Sequence, residues 1–194
     1  MNAPDILAAV TPVVEALEQL GVGYYIGGSV ASSLHGIPRS TIDIDLVADL
    51  HLENARPLVK LLKAAYYIDE DAVRDAIKRR TEFNAIHLDT MLKVDVFIPK
   101  TRLFDQEELR RVQLKVLEGS ERSFYTASPE DTILNKLEWY KMGGEVSDRQ
   151  WNDILGVLKV QGTNLDMTYL QRWASSLGVA DLLGRALVDA GLKE

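Results

Sequence analysis

The chain has 194 residues, a formal net charge of −7, no cysteine, and hydrophobic residues at 46% of its positions. These values predict a soluble globular protein of one or two domains and exclude disulfides, thiolate nucleophiles and cysteine zinc sites. The acidic balance argues against phosphate-driven binding of long duplex DNA. No apolar run reaches roughly 20 residues and the N-terminus lacks a basic region, so we expect no membrane span, no signal peptide and a cytoplasmic location.

The first predicted elements are a helix over 4–20, whose apolar residues recur at helical spacing, and a short strand over 24–26. Gly27 and Gly28 allow the backbone to turn sharply and to approach a ligand closely. Ser29 stands where the next short helix begins, and a helix N-terminus favours anions. This turn is therefore a candidate phosphate-binding element.

The next predicted strand, at 41–47, carries two aspartates. Alternation places Asp43 and Asp45 on one face and three apolar residues on the other: Ile42, Ile44 and Leu46. The two carboxylates lie about 7 Å apart, which costs about 2.4 kcal/mol at a dielectric constant near 20 if both are ionised. A solvated edge strand would explain the pattern, and so would a divalent cation such as Mg²⁺. The glycine turn just upstream favours the metal interpretation.

These residues resemble a known superfamily. Gly27-Gly28-Ser29 followed by Asp43-Ile44-Asp45 is similar to the signature of the DNA polymerase beta-type nucleotidyltransferases. The inner pattern, Gly36 and then Arg39-Ser-Thr41-Ile-Asp43-Ile-Asp45, resembles the branch that contains the abortive-infection (AbiEii-type) nucleotidyltransferase toxins. The resemblance implies an α/β (α+β) fold with a mixed sheet flanked by helices, and a toxin–antitoxin or phage-defence role.

Further elements follow along the chain. The spacing predicts a helix over 51–65 that Pro57 either kinks or begins, a short strand at 66–68, and a helix capped by Asp69. The segment 82–98 reads as a hairpin turning at Asp89-Thr90. The segment 99–108 is a connection that leads into a helix, and two short strands at 113–117 and 122–126 would complete a mixed sheet.

Asp95 lies inside the second strand of that hairpin, between two valines. A charged residue in such a strand points either to solvent or to something positive. The resemblance implies a third carboxylate on a later strand that joins the Asp-x-Asp pair and acts on the attacking hydroxyl. Asp95 is the candidate for that role, and Asp89 is the alternative, although turns recruit aspartate for purely conformational reasons.

The last part of the sequence is predicted to be helical. Ser128-Pro129-Glu130-Asp131 is a typical helix start, and three more helices begin at Ser147, at Asp166 and after Gly178. We therefore expect a catalytic domain over 1–127 and a helical module over 128–194 packed on it. In this module Trp139 and Trp151 are expected to be core residues and not base-stacking platforms. His35 of the earlier short helix is expected to have a structural role and not to bind a metal.

The resemblance implies roles for two further residues, Lys136 and Asp153. The branch has a helical lysine followed by an Arg-Asp-x-x-Asp-like stretch, which here reads Arg149-Gln150-Trp151-Asn152-Asp153, with glutamine in place of the first acid. A lysine at that place would face the triphosphate as a point charge. The expected nucleotide-binding set is Gly27, Gly28, Ser29, Arg39, Thr41, Lys136 and Asp153.

The leading hypothesis is therefore an Mg²⁺-dependent enzyme that moves a nucleotidyl group from a nucleoside triphosphate (NTP) such as ATP to an acceptor hydroxyl. Asp43, Asp45 and Asp95 would bind two Mg²⁺ ions and form the catalytic set. The resemblance suggests an RNA or tRNA 3′ end or a protein hydroxyl as acceptor, and an antitoxin-like partner. The alternatives are a non-catalytic nucleotide- or metal-binding module and a nucleotidyltransferase of small molecules, as in aminoglycoside resistance.

Overall fold

A computed structural model describes residues 3–41 and 43–193, so the expectation for Ile42 lies outside the described residues. The described chain divides into two units, and the division does not follow the chain order. The first unit comprises the chain up to Gly27 together with Ser40–Thr126. The second comprises Gly28–Arg39 and the chain from Ala127 onward.

The first unit is built on a seven-stranded mixed sheet with strand order β3-β4-β5-β2-β1-β7-β6. The strands are β1 (Tyr24–Ile26), β2 (Asp43–Ala48), β3 (Tyr66–Tyr67), β4 (Glu82–His87), β5 (Lys93–Phe97), β6 (Gln113–Val116) and β7 (Ser123–Thr126). The pairs β2–β5 and β1–β7 are parallel, and the other neighbours are antiparallel. The predicted strands and the hairpin are thus confirmed, and the hairpin contributes β4 and β5 to the centre and one side of the sheet.

Four helices accompany this sheet: α1 (Ala3–Gln19), α3 (Leu52–Leu62), α4 (Glu70–Arg79) and α5 (Leu103–Arg110). Pro57 lies inside α3 and does not begin it. The Asp69 side chain caps α4 by accepting a hydrogen bond from the Ala72 backbone N–H at 2.7 Å, as its sequence predicts. The core of the unit is formed by apolar residues of α1 and the central strands, which include Val10, Leu17, Ile26, Ile44, Leu46 and Val94.

The second unit is helical. Its helices are α2 (Gly28–His35), α6 (Pro129–Met142), α7 (Asp148–Gln161), α8 (Met167–Ser176) and α9 (Ala180–Asp189), with a 3₁₀ turn at Gly162–Asn164. Ser128, Ser147 and Asp166 cap α6, α7 and α8 with their side chains, so the helix starts that the sequence predicts are confirmed.

Buried polar contacts fix the packing of this unit. Asp131 is almost fully buried and accepts hydrogen bonds from the hydroxyls of Ser128 (2.6 Å) and Tyr169 (2.7 Å). His35 is buried and its Nε2 lies 2.8 Å from the carbonyl oxygen of Ala127, which agrees with the structural role expected for it. Within the described residues, no helix is both long and apolar enough to cross a lipid bilayer.

Candidate functional site

The two aspartates of β2 lie on one face of the first unit's sheet, as alternation predicts. Asp43 and Asp45 are partly exposed, whereas Ile44 and Leu46 between and beyond them are fully buried in the core. The apolar face anchors the strand, and this anchoring fixes the direction of both carboxylates because a shift by one residue would bury them.

The third carboxylate reaches the same place through strand pairing. β5 runs parallel to β2, and Asp95 is the register partner of Asp45. Paired residues on neighbouring strands project to the same side and lie about 4.8 Å apart at the backbone. The sheet therefore brings Asp43, Asp45 and Asp95, hereafter the acidic triad, to one face. The register brings Asp95 next to Asp45, which precedes it in the sequence by 50 positions.

Hydrogen bonds position the members of the acidic triad. The Thr41 hydroxyl lies 2.8 Å from Asp43 Oδ1 and donates to it. The Lys93 ammonium lies 2.8 Å from Asp95 Oδ2 in an ion pair. The backbone N–H of Gly27 donates to the carbonyl oxygen of Asp45 at 2.9 Å, which ties the end of β1 to the aspartate strand. The sequence suggests Thr41 as a nucleotide contact. In the structure Thr41 is buried, and its hydroxyl donates to Asp43.

The acidic triad has the donor chemistry of a magnesium site. Mg²⁺ binds carboxylate oxygens and commonly keeps water or phosphate oxygens in its remaining positions. Within residues 3–41 and 43–193, no group of three or more histidine, cysteine, aspartate or glutamate side chains already converges as a set of metal ligands. By donor type the three residues suit the ion, and the strand register places them on one face of the sheet.

Lys93 lies on the face of the acidic triad and is a residue that sequence reasoning missed. Its hydrogen bond to Asp95 raises the pKa of the Lys93 ammonium, and the charges of all three triad carboxylates add to this effect against the opposing effect of burial. The signal was present in the sequence, because Lys93 and Asp95 stand two positions apart in a strand and therefore share a face.

The second unit contains a separate charged cluster, formed by Arg39, Lys136 and Asp153 and hereafter called the basic cluster. The Arg39 guanidinium binds Asp153 with two hydrogen bonds, from Nε at 2.7 Å and from Nη2 at 2.8 Å. The Lys136 ammonium reaches the same carboxylate at 2.8 Å. The Asp153 side chain is only 5% exposed and that of Lys136 only 11%. The three residues predicted from the resemblance are thus in direct contact.

Two cations of the basic cluster share one carboxylate. Burial alone would raise the pKa of Asp153, but hydrogen bonds from Arg39 and then from Lys136 outweigh it and lower that pKa. Asp153 is therefore ionised at neutral pH and balances one of the two cations. Arg39 also donates to the Ser29 hydroxyl, so its guanidinium lies beside the start of α2.

Glycines set the local backbone of this cluster. Gly28 begins α2 with φ of +53°, a conformation that glycine adopts without strain. At the other end of α2, a Cβ on Gly36 would lie 2.7 Å from the backbone nitrogen of Val157 in α7. The close approach of the two backbones brings the segment that carries Arg39 against the helix that carries Asp153.

One expectation for the second unit is wrong. Trp139 was expected in the core, but it is 49% exposed. Trp151 packs against Tyr140 with ring centroids 4.9 Å apart and donates its indole N–H to Asp189 at 3.1 Å. Trp139 and Tyr140 are neighbours on α6 and point in different directions, and the helix buries Tyr140 instead.

Comparison with known proteins identifies the fold. No protein-family model matches the sequence, and no curated protein matches it. Among solved structures, the chain is similar to the antibiotic-resistance factor ANT(2″)-Ia, with a TM-score of 0.57 and 12% identity over 95% of this chain and 99% of that chain. It is also similar to the lincosamide antibiotic adenylyltransferase LnuA, solved with lincomycin bound, with a TM-score of 0.53 and 13% identity over 82% of this chain and 98% of that chain.

A third similar structure is an antigenic nucleotidyltransferase-like protein from Paracoccidioides brasiliensis, with a TM-score of 0.53 and 16% identity over 96% of this chain and 93% of that chain. At such identities the likeness establishes the fold. The chain adopts a nucleotidyltransferase fold, and the α/β class with a mixed sheet flanked by helices is confirmed. The AbiEii-type branch stays a prediction.

Proposed function

We propose that this protein transfers a nucleotidyl group from an NTP to an acceptor hydroxyl and that Asp43, Asp45 and Asp95 hold the divalent cations of the reaction. The observation that carries the proposal is the parallel register of β2 and β5, which pairs Asp45 with Asp95 on the face that Asp43 shares. A nucleotide-binding module without catalysis would not require three carboxylates on this face. The nucleotidyltransferase fold of the chain supports the same reading.

In the proposed reaction, the acceptor oxygen forms a bond to the α-phosphorus and the bond from that phosphorus to the β-phosphate oxygen breaks. Pyrophosphate leaves, and Asp95 assists removal of the acceptor's proton. When bound, two Mg²⁺ ions would stabilise the charge on the attacking and leaving oxygens of this in-line displacement. Thr41 holds Asp43 in place for its role, and the buried neighbours Ile44 and Leu46 keep the strand rigid.

In the second unit, the start of α2 and the basic cluster are the candidate phosphate-binding elements. The Arg39 guanidinium of the basic cluster lies beside the start of α2, where backbone N–H groups also favour anions. Ser29 and Gly28 would contribute a hydroxyl and an amide, and Lys136 a charge. Because Asp153 already holds both cations, we propose that it positions them and does not itself touch the nucleotide.

Two classes of acceptor follow from different observations. The resemblance to the AbiEii-type toxins supports an RNA end, such as the tRNA 3′ end, or a protein hydroxyl, in a toxin–antitoxin or defence setting. The similarity in fold to ANT(2″)-Ia and LnuA, together with the net charge of −7, supports a small cationic acceptor as the second candidate. We favour the RNA acceptor, since the pattern from Gly36 to Asp45 resembles that branch.

The test is transfer of label from each of the four α-³²P-labelled NTPs in the presence of Mg²⁺. Bulk tRNA, an aminoglycoside and the protein alone serve as the three acceptor conditions. We expect labelled tRNA from the wild-type chain. Removal of one triad carboxylate should lower the rate by about 10²-fold or more, since catalysis here depends on positioning and electrostatic stabilisation.

Asp43→Asn/Asp45→Asn is the test variant, and Asp89→Asn is the matched control because Asp89 is an exposed aspartate in the β4–β5 turn. The control should retain full transfer, which also separates Asp95 from Asp89 as the third carboxylate. Label on the aminoglycoside alone would select the second candidate. Mg²⁺-dependent NTP binding without label on any acceptor would favour the non-catalytic module, and undiminished transfer by the double variant would refute the proposed site.

A further inference from the structure

Lys93 occupies a distinctive position in the acidic triad. It lies two residues before Asp95 on β5, and in the parallel pairing its register partner is Asp43. Its side chain therefore lies on the face of the acidic triad, between Asp95 of its own strand and Asp43 of β2. The ammonium ends 2.8 Å from Asp95 Oδ2.

The ion pair between Lys93 and Asp95 uses the carboxylate that the proposed metal would need. A carboxylate oxygen that accepts from an ammonium points toward that ammonium. The lysine therefore supplies to Asp95 the positive charge that a metal ion would otherwise supply.

We propose that Lys93 is a tethered cation that competes with the divalent metal for Asp95, so that metal binding proceeds by exchange of the ammonium for the ion. This inference rests on the proposed function, because it takes the acidic triad as the metal site. It adds a residue outside the predicted site and a reason for a metal affinity lower than three carboxylates would give.

Exposure shows that the exchange is feasible. The Lys93 side chain is 45% exposed, so its ammonium can leave Asp95 and be hydrated without crossing the core. The Asp95 side chain is only 12% exposed, so a metal ion that replaces the ammonium must supply the compensating charge at this carboxylate. The Lys136–Asp153 pair of the basic cluster has the same 2.8 Å length but is 11% and 5% exposed and is reinforced by Arg39, so we do not expect it to open. The two lysines thus have different roles.

Charge explains the direction of the effect. The triad with Lys93 carries a formal charge of −2, and without the lysine it carries −3. Loss of the ammonium removes both a competitor for Asp95 and a like charge that repels an incoming cation. Substitution of Lys93 by a neutral residue should therefore strengthen metal binding, whereas substitution of a residue that only supports the strand would weaken it.

The test is calorimetric titration with Mn²⁺ alone, as a probe of the metal site without nucleotide. We expect Lys93→Gln to bind Mn²⁺ about 3- to 10-fold more tightly than the wild type. Lys93→Arg, which keeps the charge, should bind no more tightly than the wild type. Lys115→Gln, on the edge strand β6, is the matched control and should leave the affinity unchanged.

A double variant locates the competition at Asp95. In Asp95→Asn the carboxylate for which the two cations compete is absent, so adding Lys93→Gln should no longer tighten binding. Metal-free Lys93→Gln should also melt at a lower temperature than the wild type and gain more thermal stability from Mn²⁺.

The outcomes separate this inference from the proposed function. Wild-type binding of Mn²⁺ with equal or weaker binding by Lys93→Gln would overturn the exchange and leave the metal site intact. Equal tightening in the Asp95→Asn background would also overturn it, because the lysine would then act only through its general field. If neither chain binds Mn²⁺, the metal site fails and the exchange fails with it.

Discussion

Removal of the Asp153 carboxylate should destabilise the second unit strongly. In Asp153→Ala, the Arg39 guanidinium loses two hydrogen bonds of 2.7 and 2.8 Å and the Lys136 ammonium loses one of 2.8 Å. The positive charges of Arg39 and Lys136 then remain beside the buried position that the carboxylate occupied, with no negative charge between them. The substitution thus removes three hydrogen bonds and also the negative charge that compensates the two cations.

The magnitude follows from burial. Truncation of one partner of a buried ion pair costs about 3–5 kcal/mol, because the other charge is left without compensation. The Arg39 side chain keeps 24% of its exposure, and water reaching it will recover part of that cost. We therefore expect the free energy of unfolding to fall by about 2–4 kcal/mol.

Urea unfolding followed by tryptophan fluorescence is a suitable assay. Trp139, Trp151 and Trp173 are the three tryptophans of the chain, and all lie in the second unit, so the signal reports on the unit that contains the basic cluster. The control is Asp148→Ala, an exposed aspartate in the first turn of the same helix, which should cost about 0.5 kcal/mol through the helix dipole.

A double variant tests the reason for the loss. Lys136→Met combined with Asp153→Ala removes one of the two cations that Asp153→Ala leaves without their carboxylate. The double variant should therefore lose less free energy of unfolding than the sum of the losses of the two single variants. A loss below about 0.5 kcal/mol in Asp153→Ala, or strict additivity with Lys136→Met, would refute the argument that the two residues form one charged unit.

Three further predictions concern the second unit. Gly36→Ala places a methyl group 2.7 Å from the Val157 backbone nitrogen, and should cost about 1–3 kcal/mol in the same urea assay; an unchanged midpoint would show that the two helices can separate freely. Because folding lowers the pKa of Asp153, the ionised carboxylate stabilises the fold above its unfolded pKa of about 3.9, and this contribution is lost as the pH falls further. The free energy of unfolding between about pH 5 and about pH 3 should therefore fall more for the wild type than for Asp153→Asn. Parallel pH profiles of the two proteins would contradict this. Tyr169→Phe removes a 2.7 Å hydrogen bond to the buried Asp131 and should lower the unfolding free energy by about 1–3 kcal/mol, whereas a loss within error would mean that another donor replaces the hydroxyl.

Local patterns in the sequence determined most of the secondary structure. Alternation in 41–47 places Asp43 and Asp45 opposite buried Ile44 and Leu46 because side chains alternate along any strand. Ser128, Ser147 and Asp166 start helices because a side-chain oxygen next to free backbone N–H groups satisfies them locally. Such signals need only a few neighbouring residues, so they can be read without knowledge of the fold.

The tertiary structure decided which of these residues meet. Only the parallel register of β2 and β5 pairs Asp45 with Asp95. Arg39 and Asp153 are separated by 114 positions and meet because α2 and α7 approach closely at Gly36. Contacts of this kind depend on long-range packing, and a residue's own sequence neighbours carry no record of it. The sequence by itself therefore determined the carboxylates and the helix starts, and the structure determined their partners.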